Sequence, residues 1–356
     1  MSLSRLRLFQ FRCFGNVELA VDDAAPVVGF VGENAAGKTS ILEAVCVLLR
    51  LQSPRAQAMG DLVRFGDDKA AVEGELDGTT LRWVQSASGR RLSVDGERAG
   101  KAANYLAHSG LVVWMGNDDI LLVRAGGDGR RRFLDFVGSQ MFPEYRGSLR
   151  AYERALRSRN FLLKKPDVTE AQLAAYAAVL AEHGDRLSGW REQMVAQLSP
   201  VAAEAHREIS GRDESFEMVY QPSAEPGGLA AAIANSRGDE RRRKSTVVGP
   251  HRDDLALQLN GMPLAQFGSE GQQRTAVLAM KIAQARVLHQ VRGRAPMILV
   301  DDVFGELDTS RRQQLMAGLP KESKIWLTTT TLDWADDALL ERMTRFEVTS
   351  GTLQRM

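Results

Sequence analysis

The chain has 356 residues, of which 44% are hydrophobic, with 46 Lys and Arg against 45 Asp and Glu for a net charge of +1. That length holds one large or two to three modest domains with a substantial core. Near-neutral charge excludes a polybasic coat for nucleic acid but leaves room for a local basic patch. The 32 glycines and 11 prolines are too few for a collagenous or low-complexity chain.

Cys13 and Cys46 show no CxxC and no His at zinc-ligand spacing. They exclude a disulfide framework and a Cys-rich metal site, and they suit a reducing compartment. No apolar run reaches the roughly 18 residues of a membrane span. The first residues lack the apolar core of a signal peptide. The cytosol is therefore the expected location, with no membrane partner.

In chain order, Leu3, Leu6 and Leu8 partly alternate with polar residues, and Val17, Leu19 and Val21 recur at period two, so both stretches read as strands. Val27–Val31 reads as a buried strand, and Thr39–Leu49 as a helix after a glycine-rich turn. Runs at Val72–Leu76, Leu81–Gln85 and Arg91–Val94, split by Asp77-Gly78 and Ser88-Gly89, predict hairpins. Leu111–Met115 reads as another buried strand.

From about Arg130 to Arg212 glycines thin out, and apolar residues recur at helical spacing, as in Tyr145, Leu149, Tyr152 and Leu156. Long helices broken near Pro166 and Pro200 are expected, with Arg237–Lys244 as a charged connector. The last third returns to alternating elements. Leu255–Leu259 is a strand leading into an Asn260-Gly261 turn, and Glu270–Val291 is a long helix. Strands at Met297–Val300 and Ile325–Thr329 flank a helix at Ser310–Leu319. Strand-rich ends around a helical middle suggest one α/β sheet closed from N- and C-terminal pieces.

Three motifs carry chemistry. Gly32-Glu33-Asn34-Ala35-Ala36-Gly37-Lys38-Thr39, followed by Ser40, fits GxxxxGK[ST] between a strand and a helix. Backbone N–H groups of such a loop wrap phosphate oxygens, Lys38 reaches the β- and γ-phosphates, and the Thr39 hydroxyl is a Mg²⁺ ligand. Met297–Val300 is an apolar strand ending in Asp301 and Asp302. Asp301 is placed to hold Mg²⁺, and Asp302 to orient or deprotonate a water. Phe267-Gly268-Ser269-Glu270-Gly271-Gln272 opens the long helix, where Ser269 is either a simple N-cap or part of an anion site. Phosphate loop, Gly/Ser helix start, acidic strand end and a following acidic loop at Glu306–Asp308 come in the order of ABC-type ATPases. In that group the Gly/Ser motif of one subunit closes on the γ-phosphate bound by the other.

Two further stretches are more specific. Asp118-Asp119-Ile-Leu-Leu-Val123 with Gly126 and Arg131-Arg132-Phe133-Leu134-Asp135, and Gly249-Pro250-His251-Arg252-Asp253-Asp254-Leu255, resemble the two signatures of the RecF family of bacterial recombination mediator ATPases. The opening Leu8–Phe14 is similar to that family's first strand. The resemblance runs essentially end to end and implies an α/β fold: an ABC-type P-loop ATPase head with a mixed sheet and an inserted α-helical arm. The expected layout is an N-terminal lobe at 1–135, the arm at 136–245 and a C-terminal lobe at 246–356.

The resemblance also implies ATP and Mg²⁺ as cofactors, slow DNA-stimulated hydrolysis and an ATP-dependent homodimer on double-stranded or gapped DNA. It implies action with RecR and RecO in loading RecA and in the SOS response. Carried over, Gly32 to Ser40 bind nucleotide, Arg12 contacts phosphate, and Ser269, Gly271 and Gln272 reach nucleotide across the dimer. Lys38, Asp301 and Asp302 serve catalysis, with Thr39 and Asp301 on the metal. Three departures stand out. Ala35 replaces a usual loop glycine, Asp302 is shorter than the Glu of many ABC proteins, and Trp326–Thr331 lacks the His of transport ATPases. The rival expectations are a DNA-independent ABC-type ATPase, a small-molecule phosphotransferase, and a non-hydrolysing nucleotide-dependent scaffold.

Overall fold

A computed structural model describes residues 1–56 and 58–356. The chain divides into two compact units, one formed by residues 1–119 and 288–356, the other by residues 120–287.

The first unit opens with β1 (Leu3–Phe11), β2 (Phe14–Ala20), β3 (Val27–Val31) and α1 (Lys38–Arg50). It continues with β4 (Lys69–Leu76), β5 (Thr79–Ser86), β6 (Gly89–Val94), β7 (Glu97–Arg98), α2 (Ala102–Ala107) and β8 (Val112–Gly116). Six of these strands form an antiparallel sheet in the order β2-β1-β4-β5-β6-β7. Alternation sets its faces: Leu6 and Leu8 are buried while Arg5 and Arg7 are exposed. The predicted Asp77-Gly78 turn has φ of 48° and 81°, the left-handed pair that a two-residue hairpin of the right twist needs.

The second unit contains α3 (Leu121–Arg124), α4 (Gly127–Met141), α5 (Tyr145–Leu162), α6 (Glu170–Ser210), β9 (Phe216–Gln221), α7 (Leu229–Asn235) and α8 (Arg237–Arg243). There follow β10 (Asp254–Leu259), β11 (Met262–Pro263), α9 (Leu264–Phe267) and α10 (Glu270–Arg292), whose last residues count with the first unit. Its core gathers Tyr145, Tyr152, Leu180, Leu187, Leu229 and Ile233.

Two expectations fail here. The helix break predicted at Pro200 is absent, because α6 runs unbroken through that residue. A helix-interior proline costs about 3 kcal/mol, yet Leu198, Ala202 and Ala205 bury fully on either side, and the Met218 N–H of β9 donates to Ser199 Oγ at 3.0 Å. Tertiary packing outweighs the local penalty. The supposed connector at 237–244 is largely the helix α8. One of its acids turns inward, where Glu240 takes a two-pronged bond from the buried Arg159 at 2.6 and 2.7 Å.

The chain then returns to the first unit with β12 (Met297–Asp301), α11 (Thr309–Gly318), β13 (Ile325–Thr329), α12 (Asp337–Glu341), β14 (Met343–Thr349) and β15 (Thr352–Arg355). The second sheet has the order β15-β14-β3-β13-β12-β8, all parallel except β15. It is closed from both ends of the sequence, as expected. Helix α1 packs against strands of both sheets. Its residues from Ile41 to Leu49 are all fully buried, the signature of a helix with core on every side.

The unit boundaries differ from the expected lobes at 1–135, 136–245 and 246–356. Residues 120–135 and 246–287 fold with the helical segment, because β10 pairs with β9 and α4 is tied to β10 by Arg130, which bonds Asp254 at 2.7 and 2.8 Å.

Candidate functional site

The glycine-rich loop joins β3 to α1, and two of its glycines are sterically required. A Cβ on Gly32 would lie 2.2 Å from the Val348 carbonyl oxygen, and one on Gly37 would lie 2.7 Å from Cys13 Sγ, at a φ of +112°. Ala35 sits at φ +66° without being glycine. Within the chain, the N–H groups of Asn34, Ala35, Gly37, Lys38 and Thr39 make no hydrogen bond among the described residues. A run of unpaired N–H groups opening a helix is an anion cradle. Glu33, Asn34 and Ala35 are exposed, and Ala36 is buried.

Lys38 is 6% exposed, and its ammonium donates to the carbonyls of Gly32 and Glu33 at 2.7 and 2.8 Å. Burial lowers its pKa, and the carboxylates of Asp302 and Asp301 oppose that shift.

At the end of β12, Asp301 Oδ1 accepts from Thr39 Oγ1 at 2.7 Å and from Thr328 Oγ1 at 2.9 Å. Thr39 and Asp301, the two residues expected on the metal, thus meet. They present hard oxygen donors of the kind Mg²⁺ takes when phosphates and water complete its shell. Asp302 stands at φ +58°, with its N–H donating to Thr328 Oγ1 at 3.0 Å. Burial raises the Asp302 pKa; Asp301 and Glu306 add to the rise, and Lys38 opposes it. Thr328 is the residue that touches the acidic pair, whereas Thr329 Oγ1 donates to the Thr331 carbonyl and accepts from Trp334. Asn117 was missed altogether. Its amide bonds Glu306 at 2.7 Å and the Asp302 carbonyl at 3.4 Å.

Arg12 is less available than expected. Its guanidinium grips Glu43, which is fully buried, with two bonds of 2.8 Å, and donates to the Asp61 carbonyl at 2.9 Å. It nevertheless shares with Ser40, Arg55, Ala56 and Asp61 an open cleft of about 460 Å³.

In the second unit, Ser269 and Glu270 are exposed at the start of α10, and Gly271 and Gln272 are half-buried. Ser269 Oγ accepts from the Gln272 N–H at 3.3 Å, and Gln272 Oε1 accepts from the Ser269 N–H at 2.8 Å. This capping box makes Ser269 an N-cap without covering it. Gln273 anchors the turn from below, taking Arg124 at 2.7 Å on its oxygen and reaching the Gly268 carbonyl at 3.1 Å with its nitrogen.

The 131–135 and 249–255 stretches of the two sequence signatures meet inside this unit. Arg191 bonds Asp135 at 2.8 Å, Asp253 at 3.2 Å and the Pro250 carbonyl at 2.7 Å. His251 Nδ1 accepts from the Tyr152 hydroxyl at 2.7 Å and its Nε2 donates to the Thr246 carbonyl at 3.0 Å. Both are packing roles. Arg130 and Arg131 are likewise engaged, with Asp254 and with Asp128 and the Asp253 carbonyl, while Arg132 is exposed. Trp83 and Trp326 are core residues.

A parallel sheet feeding a phosphate-cradling loop, an acidic strand end bonded to that loop's threonine, and a capped serine helix start define an ABC-type P-loop nucleotide-binding head. Residues 5–105 match the AAA domain family. The chain is 36% identical to the DNA replication and repair protein RecF of Acaryochloris marina (strain MBIC 11017) over 99% of both chains. It is 39% identical to that of Anaeromyxobacter dehalogenans (strain 2CP-C), again over 99% of each. The chain therefore belongs to the RecF family of DNA replication and repair proteins. A solved structure of the recombination mediator protein RecF-ATPrS in the RecFOR pathway superposes with a TM-score of 0.89 at 27% identity, covering 100% of this chain and 98% of that one. An Smc head bound to the C-winged helix domain of ScpA shares the fold, with a TM-score of 0.56 at 14% identity.

Proposed function

We propose that this chain is an ATP-gated, DNA-binding recombination mediator that hydrolyses ATP slowly. In this reading the N–H groups of the loop from Gly32 to Ser40 hold the phosphates, and Lys38 exchanges its two loop carbonyls for phosphate oxygens. Thr39 and Asp301 hold Mg²⁺, which when bound offsets phosphate charge. Asp302 orients the attacking water and takes its proton. Its short side chain and left-handed backbone favour a slow step. Ser269, Gly271 and Gln272 of a second copy contact the γ-phosphate, so that ATP binds two copies together and hydrolysis releases them.

The observation that carries this reading is the meeting of Thr39 and Thr328 on one carboxylate oxygen of Asp301. With both hydroxyls on one oxygen of Asp301 beside the loop, this arrangement supports Mg²⁺ binding there. Two further observations support it: the exposure of Ser269 and Glu270, and the name and ATP-bound forms of the relatives. The rest of the reading follows the family: double-stranded or gapped DNA as ligand, RecR and RecO as partners in loading RecA, and a role in the SOS response. The setting is the cytoplasm, and no helix of the described residues is long and apolar enough to cross a membrane.

Light scattering with saturating ATP tests the core of it. The parent chain dimerises, Lys38→Met stays monomeric, and Ser269→Arg binds ATP as a monomer. A normal ATP-dependent dimer of Ser269→Arg refutes the cross-subunit role. ATP turnover unaffected by DNA favours the DNA-independent ATPase instead.

A further inference from the structure

His206 sits on α6 fully buried, and neither of its ring nitrogens makes a hydrogen bond among the described residues. Its ring stacks on that of Phe216, with centres 5.4 Å apart and planes at 23°. An imidazole carries at least one N–H donor, so a buried ring that engages neither nitrogen holds hydrogen-bonding capacity in reserve. The carboxylate whose charge reaches it is that of Glu214, with Oε2 at 4.0 Å from His206 Nε2. That gap is too wide for a hydrogen bond. Burial lowers the His206 pKa and Glu214 opposes the shift, so the ring is neutral near pH 7. The other charges on the surrounding elements are spent elsewhere. Glu204 and Arg207 on α6 are exposed, as are Asp213 and Glu217 beside and on β9. Glu208 pairs with Arg286 of α10 at 2.7 Å, Arg274 with Glu270 at 3.1 Å, and Lys281 lies over the Phe133 ring.

Glu214 is engaged on its other oxygen. Its Oε1 accepts from Gln272 Nε2 at 2.8 Å, and the exposed Arg212 lies 3.9 Å from the same atom. The Glu214 side chain is only 12% exposed. A carboxylate so placed is costly to leave without a donor. If Gln272 turns away to a phosphate, Glu214 loses its hydrogen bond, and His206 is the buried group beside it with a nitrogen to spare. A shift of about 1 Å and one proton from solvent would turn the 4.0 Å approach into a charge-assisted bond.

We propose that His206 is a positioning residue for nucleotide-driven closure: as Gln272 moves to the triphosphate of a second copy, His206 takes up a proton and captures Glu214, holding that carboxylate away from the phosphate. The proposal rests on the reading of Gln272 given above. It makes closure consume protons, one for each copy.

The test is light scattering of dimerisation with saturating ATP and Mg²⁺ between about pH 6 and about pH 8, the range in which histidines titrate. An imidazole pKa raised on closure favours the dimer fully below the pKa of the free chain, and the gain is lost as pH rises through the value in the dimer. The parent dimer therefore loosens with rising pH, log Kd climbing by up to about two per pH unit. His206→Gln, whose amide can bond Glu214 without a proton, flattens that slope by about one or more. Glu214→Gln does the same, and the double variant flattens it no further. Glu214→Gln, at a partly exposed position, carries the test if His206→Gln does not fold. In parent protein with isotope-labelled histidines, NMR at pH 7 reads the His206 ring, one of five, as neutral without ATP and charged in the ATP-bound dimer. A parent that stays monomeric with ATP removes the ATP-gated reading and this proposal with it. A parent that dimerises with the same pH slope as the variants, or whose His206 stays neutral in the dimer, overturns this proposal alone.

Discussion

Replacing Thr328 by Val tests whether Asp301 is held in place by the strand beside it. Thr328 is 1% exposed, and its hydroxyl bridges the acidic pair by donating to Asp301 Oδ1 at 2.9 Å and accepting the Asp302 N–H at 3.0 Å. Valine keeps the shape and removes both bonds. A bond to an ionised carboxylate contributes about 1.5–3 kcal/mol, and an N–H left without an acceptor costs about 1–3 kcal/mol. Asp302 is only half-buried, so water recovers part of the second figure. Asp301 also keeps its bond from Thr39. The expected loss is about 2–4 kcal/mol. Thr328→Ser keeps the hydroxyl and loses one methyl, at about 0.5–1.5 kcal/mol. Urea titration of each variant reads these values. Binding of a fluorescent ATP analogue with Mg²⁺ supplies the second readout, because freeing a residue that orients a ligand typically weakens a metal site by about 10–100-fold. If Val is as stable as Ser and binds nucleotide as the parent does, Thr328 does not orient Asp301.

Two other substitutions probe backbone and charge. Ala35 stands at φ +66° with its side chain exposed; Ala35→Gly relieves about 1–2 kcal/mol of left-handed strain against about 0.4–1 kcal/mol of added unfolded-state freedom. Thermal melting should therefore show a small rise in Tm for Ala35→Gly and a clear fall for the β-branched Ala35→Val; the reverse order would contradict the strain. Asp302→Asn concerns the raised carboxyl. A pKa raised on folding means that the native state binds the extra proton, so stability falls as pH rises from the ordinary carboxylate range through the raised value. Asn removes that cost and tolerates φ +58°. Denaturant melts should find it more stable than the parent near pH 7 and equal below about pH 4. ATP hydrolysis should be lost; equal stability at both pH values would dismiss the buried-charge argument.

The phosphate loop, the acidic strand end and most hairpins were legible because each rests on local rules: glycine where φ is positive, alternation, an apolar run ending in carboxylates. What escaped the sequence depends on distant partners. β14 was missed because its buried residues Met343, Phe346 and Val348 do not keep period two; it becomes a strand by pairing with β3, more than 300 positions earlier. Pro200 announced a break that packing overruled. Glu240 looked like one more solvated charge until Arg159 supplied its mate. In the threonine run, alternation along β13 turns neighbouring hydroxyls to opposite faces. Composition alone says nothing of which face carries Asp301.

The same bookkeeping of donors and acceptors constrains how the serine helix start can act. Ser269 Oγ accepts one N–H from Gln272, and that uses a lone pair. Its own O–H remains available, so it can donate to a phosphate oxygen without giving up the cap. Gln272 is differently placed. Its Oε1 is taken by the Ser269 N–H and its Nε2 donates to Glu214 at 2.8 Å. One amide hydrogen is left, on a nitrogen held by an acid. For Gln272 to reach a triphosphate, the bond to Glu214 has to loosen, and the negative Glu214 has to be kept from the phosphate it would repel. Of the three residues expected to meet nucleotide across a dimer, Ser269 keeps a hydroxyl donor available as it stands. Gln272 is the one whose contact requires α10 and the Glu214 segment to change their bonding, so it is where closure of a dimer would be felt within the second unit.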